Sequence, residues 1–140
     1  MLKKARFVVV VIAIAAAAGC ASATDPTYRV GPGRQHKSLS EIVGRLQPGD
    51  VVEIDPGVYR EAMKIKAGGT AGRPVVIRGV PGKPRPVFDA TGVNVSGVGK
   101  NPRAIFQIEA PYVVLEHLEA TNARNGDTAA AVRLNGSTNA

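Results

Sequence analysis

A single cysteine, Cys20, is all the covalent cross-linking this 140-residue sequence offers. One thiol cannot close an internal disulfide, so no structural staple holds the fold. Aromatic residues are scarce as well, 4% with no tryptophan. The bases are scattered and hardly interleaved with aromatics, which argues against a nucleic-acid-binding surface. No apolar run is long enough to span a bilayer comfortably, and no acid precedes Asp25. No helical stripe appears after Leu46, which excludes a helical bundle. Glycine (16) and proline (10) are plentiful instead. Many short elements joined by tight turns would give this composition, within one domain.

The missing N-terminal acids matter because three bases stand there. Lys3, Lys4 and Arg6 precede an apolar run from Phe7 to Ala18, and Ala18-Gly19-Cys20-Ala21-Ser22-Ala23 follows. This pattern predicts a secretory signal over residues 1–20. Ala17-Ala18-Gly19-Cys20 resembles the lipobox of bacterial lipoproteins. That resemblance implies a lipidated Cys20, a leash over 21–29 and a domain over 30–140, held at the outer membrane, in the periplasm or on the cell surface. Each buried CH₂ of the lipid would contribute about 0.8 kcal/mol. Ordinary cleavage near Ala21-Ser22-Ala23, giving a secreted protein, is the alternative. Without the three leader bases the net charge falls from +7 to 15 bases against 11 acids. This mildly basic balance suits an acidic polysaccharide or an ordinary solvated surface.

The folded part is organised around Gln47–Glu61. Val51-Val52-Glu53-Ile54 is a β-branched strand between Pro48-Gly49 and Pro56-Gly57 turns, with Glu53 and Asp55 expected to face water. Ahead of it, Ser38-Leu39-Ser40-Glu41 has the form of a capping box. Leu39, Ile42, Val43 and Leu46 then fall at i, i+3, i+4 and i+7. That spacing predicts a helix of about two turns laid on something apolar.

Further apolar clusters follow at Met63 and Ile65, Val75–Ile77, Val87–Phe88, Ile105–Ile108, Val113–Leu115 and Ala131–Leu134, each bounded by turn residues. The sequence is therefore read as all-β. Asn125-Gly126 and Asn135-Gly136 would suit hairpins of an antiparallel sandwich or barrel. Steps of 24 residues (Val51–Ile54 to Val75–Arg78) and 26 residues (Ile105–Ile108 to Ala131–Leu134) suit a stack of parallel coils, which repeat at roughly 20–45 residues. Leu115 and Leu118 can share one face only if the strand turns a corner at Glu116-His117.

Tyr28-Arg29-Val30-Gly31-Pro32-Gly33, Ser38–Glu41, Leu46–Val52 and Pro56-Gly57-Val58-Tyr59-Arg60-Glu61, with Pro74–Gly79 and Glu119–Ala123, resemble the start of the pectate-lyase-like proteins. Chondroitinase-B-like and alginate lyases are among these. The resemblance implies a right-handed parallel β-helix with a short N-terminal capping α-helix. It also implies an asparagine at one corner, here Asn122. From Val51 to Ala140 there is room for about four coils, so an incomplete chain with an open lower end is expected.

The activity the resemblance implies is lyase- or epimerase-like action on acidic polysaccharides, with Ca²⁺ possible, or glycan binding alone by a non-catalytic surface protein. An inactive fragment is the remaining alternative. Such lyases abstract a proton with a Lys or Arg base while a cation quenches the carboxylate. Arg78, Arg124 and Arg133 are the candidate substrate-binding residues. Lys64 and Lys66 are further cations, and Glu116, Glu119 and Asp127 could serve Ca²⁺. No complete catalytic constellation is visible, and no dense calcium loop. His36 and His117 read as surface residues.

Overall fold

The computed structural model describes residues 25–124 and 129–136. The expected leader, Cys20 and Asp127 lie outside the described residues. Ten strands follow one another: β1 (Tyr28–Val30), β2 (Val51–Ile54), β3 (Val58–Tyr59), β4 (Met63–Ile65), β5 (Val75–Gly79), β6 (Val87–Asp89), β7 (Ala104–Ile108), β8 (Val113–Glu116), β9 (Glu119–Thr121) and β10 (Ala130–Leu134). They form three sheets in the orders β1-β2-β5-β8, β3-β6-β9 and β4-β7-β10. All seven strand pairings are parallel.

From β2 onward the chain visits the first, second and third sheet in turn, three times over. This rules out the antiparallel alternative. Asn125-Gly126 lies outside the described residues; β9 and β10, on either side of it, belong to different sheets. Register refines the expected step. Val52 lies on Ile77, 25 positions later rather than 24. Ala104 lies on Ala130, at the expected 26. The longest return, Met63 to Phe106, contains the irregular segment 90–103, which buries Val95.

All three sheets face one core. Val52, Ile54, Val75 and Ile77 enter it from the first sheet, Tyr59 and Phe88 from the second, and Met63, Ile65, Phe106 and Ile108 from the third. Phe88 stacks on Tyr59 at 5.3 Å and meets Phe106 edge-on at 4.7 Å. Such pairs add roughly 0.5–1.5 kcal/mol beyond area burial. The Tyr59 hydroxyl donates to the Asp55 carbonyl at 2.8 Å. Burial, reinforced by the Asp55 and Glu61 charges, pushes it up to about 12.

The capping α-helix is not formed. Its place is taken by a 3₁₀ turn, Leu39–Glu41, continued by turns. The expected stripe is nonetheless buried: Leu39 and Ile42 are fully covered, and Val43 and Leu46 nearly so. Two β-branched residues followed by Gly44 weaken helical propagation. The first-turn N–H groups find another acceptor instead. Leu39 and Ser40 donate to the Glu61 carboxylate at 2.9 and 3.0 Å, while Ser38 donates to Glu41 at 3.2 Å. β1 also begins at Tyr28, inside the expected leash, and pairs with β2. Among the described residues no helix is long and apolar enough to cross a membrane.

The corners on either side of β8 and β9 are sharp. Tyr112 precedes β8, His117 precedes β9 and Asn122 follows β9, with φ of 52°, 54° and 59°. One left-handed residue at each corner redirects the strand. The expected corner at Glu116-His117 is therefore present.

Candidate functional site

Three outward-facing groups of polar side chains lie on this frame. The first crosses the first sheet. Arg29, Glu53, Arg78 and Glu116 occupy one register row on four successive strands. Arg78 Nη2 donates to Glu53 at 2.9 Å and Arg78 Nη1 lies 3.9 Å from Glu116, while Arg29 lies 3.5 Å from Glu53. Alternating charge directly across parallel strands makes each neighbour a partner. Glu53, expected to face water, points outward but is only 6% exposed, because the two guanidinium groups cover it. Arg78 Nε is itself buried without a hydrogen-bond partner.

The second group lies at the corner between the second and third sheets. Asp89 Oδ1 accepts from the Thr91 hydroxyl at 2.7 Å, the Thr91 N–H at 2.9 Å and the Asn122 amide at 2.9 Å. Arg60 lies 3.7 Å from the other carboxylate oxygen and donates to the Thr91 carbonyl. The Thr91 hydroxyl, then the Asn122 amide and the Thr91 N–H, hold the Asp89 carboxyl down at about 2. So acidic a group is a poor proton acceptor near neutrality. Below it opens a shallow cleft of about 380 Å³ lined by Ala90, Thr91, Gly92, Asn122 and Arg124. Arg124 is exposed and has no ion-pair partner among the described residues. A guanidinium fork suits carboxylate or sulfate oxygens.

The third group is the outer row of the third sheet, Lys64, Gln107 and Arg133. Gln107 is 4% exposed; it accepts the Arg103 N–H at 2.7 Å and donates to Glu109. Arg133 donates to Asn135 at 2.9 Å, and Lys66 lies 3.9 Å from Glu109. Lys64 has no ion-pair partner among the described residues.

The three candidate arginines are thus not one cluster. Arg78 belongs to the first sheet and is neutralised. Arg133 lies on the third sheet, and Arg124 lies at the corner leading to it. His117 donates its Nε2 proton to the Lys83 carbonyl, 2.8 Å away, since a carbonyl can only accept. His36 sits 3.6 Å from Glu41, against the edge of Tyr28. Among the described residues no group of three or more His, Cys, Asp or Glu converges on one point. Glu116 and Glu119 are exposed near one corner.

Sequence reading missed Asp89 and Arg60. Asp89-Ala90-Thr91-Gly92 did carry a signal, because Asp with a hydroxyl two residues on forms a local turn of its own. No family model, curated protein or solved structure matches the chain.

Proposed function

We propose that the chain winds as a right-handed parallel β-helix, is exported and tethered through a lipidated Cys20, and binds acidic polysaccharide on its outer surface. The winding is supported by the cyclic order in which successive strands join the three parallel sheets. The binding face is supported by one contrast. The first sheet spends its cations on its own carboxylates, whereas Lys64, Arg124 and Arg133 keep theirs from any carboxylate among the described residues. A polyanion would gain from these without displacing an internal ion pair.

Alginate, chondroitin and pectate, each with and without Ca²⁺, test the reading. Binding that weakens with salt, as screening requires, is the expected result. Release of unsaturated ends absorbing in the ultraviolet would extend it to a lyase. Absence of binding to all three polymers overturns it.

A further inference from the structure

The outer face of the third sheet carries its charges in a fixed order. Lys64, Gln107 and Arg133 share one register row across β4, β7 and β10, pointing away from the core. Lys64 and Arg133 thus stand two strand spacings apart, about 9.6 Å. Both residues are half-buried, and Arg133 Nε is oriented by the Asn135 side-chain oxygen at 2.9 Å. The middle strand differs. Gln107 is neutral and engaged at both ends, accepting the Arg103 N–H and donating to Glu109. The Glu109 backbone N–H donates to the Ile65 carbonyl at 2.8 Å, which fixes this acid two positions beyond Gln107. Its side chain is 26% exposed, with Lys66 3.9 Å away. Across three strands the face reads cation, amide beside an acid, cation. The other two faces carry no such order. The first sheet pairs its charges internally, and the second turns Asp89 and Glu119 outward.

We infer, on the footing of the glycan binding proposed above, that this face selects the spacing of charge in its ligand. It takes three consecutive sugar units laid across β4, β7 and β10, acidic at both ends, with the middle unit's hydroxyls on Gln107 and Glu109. A pyranose unit advances its polymer by about one strand spacing, so acids on the first and third units fall on Lys64 and Arg133. A carboxylate over β7 would instead meet Glu109, and like charges brought together lose affinity. A hydroxyl there donates to Glu109, since an ionised carboxylate only accepts. The middle unit is therefore neutral or turns its acid to water, and in either case a third charge adds nothing. Specificity of this kind comes from a repulsive element as much as from the two cations.

Calorimetric titration of the full chain, kept in solution by a mild detergent, with two oligosaccharides of equal charge tests this. One is a trisaccharide with a uronate at each end and a neutral sugar between them. The other is a diuronate disaccharide. The trisaccharide should bind about tenfold tighter. A triuronate should bind no tighter than the acid–neutral–acid trisaccharide, despite its extra charge. Lys64→Met and Arg133→Met, each with the parent's circular dichroism, should each cost the trisaccharide about tenfold and the disaccharide under about twofold. The comparison of ligands on the parent needs no variant. Equal affinity for trisaccharide and disaccharide overturns the inference, as does affinity that climbs from the acid–neutral–acid trisaccharide to the triuronate. Either result leaves the binding of alginate, chondroitin or pectate standing. Failure of those polymers and of every oligosaccharide to bind overturns both readings.

Discussion

Glu53 and Glu116 stand in the same register row, both beside Arg78, yet their surroundings differ. Glu53 is clamped between Arg29 and Arg78 with its side chain 8% exposed, while that of Glu116 is 51% exposed. Removing one partner of a covered ion pair leaves the other charge uncompensated, at a cost of roughly 3–5 kcal/mol. An exposed pair is worth about 0–1 kcal/mol. Glu53→Gln should therefore lower stability by about 3 kcal/mol and Glu116→Gln by under about 1 kcal/mol, as read from urea midpoints at constant m. Equal losses would mean that Glu53 is solvated and the row is decorative.

Asp89 gives a pH signature at the same scale. Its folded-state carboxyl titrates at about 2 against an ordinary 3.8. A group depressed on folding contributes stability that is complete above its unfolded value and lost as pH falls through its folded one. The melting temperature should accordingly fall between about pH 4 and pH 2. In Asp89→Asn, which cannot ionise, that part of the slope should be missing. Parallel curves for the two proteins would show that Thr91 and Asn122 do not hold the charge.

At the scale of elements, close packing of neighbouring strands and corners limits what side chains can be added. A Cβ at Gly79 would stand 2.5 Å from the His117 carbonyl oxygen and 2.7 Å from Pro86 Cδ. Neither neighbour is a flexible side-chain tip, so the backbone must shift. Gly79→Ala should cost about 1–3 kcal/mol, as overpacking does. Phe88→Ala, in the aromatic stack, should cost about 3–5 kcal/mol by leaving a cavity. Thermal unfolding of both variants checks the order. The strands were legible because apolar, β-branched clusters bounded by Gly and Pro leave few other readings. Their register was less so, since Val75 and Val76 are both apolar and period-two patterning cannot say which faces inward. The helix misled for a related reason: Leu39, Ile42, Val43 and Leu46 bury one face whether the backbone is α-helical or a 3₁₀ turn. What decided was Glu61, twenty-two residues away from Leu39, and local spacing does not reveal such an acceptor. The corner pair of Asp89 and Asn122, 33 residues apart, was hidden likewise, because irregular returns of 24 to 43 residues place corners out of step.

Parallel strands stacked in three sheets on one core give the described residues a gradient of stability, because each strand is held by its neighbours in the sheet. The middle strands β5 and β7 are paired on both sides, and their inward residues are close to fully covered: Val75 and Ile77 are 0% exposed, Phe106 1% and Ile108 3%. Among the described residues β8, β9 and β10 are paired on one side, and Val132 and Leu134 remain half open. β2 is paired with both β1 and β5 and segment 38–46 is buried beside it, so β2 is better protected than its position suggests. Native-state amide exchange should therefore be slowest in the middle strands of the sheets and fastest in β9 and β10. Protection should be greatest in β5 and β7, slightly lower in β2, and lowest in β9 and β10, with opening free energies that fall by a few kcal/mol from β5 and β7 to β9 and β10. Glu61→Gln weakens the acceptor for Leu39 and Ser40 and should lower protection at β2 first, by about 1 kcal/mol, while leaving β10 unchanged. Uniform loss across all strands would mean that the strands open as one cooperative unit and that segment 38–46 acts on the whole core instead of the strands it covers.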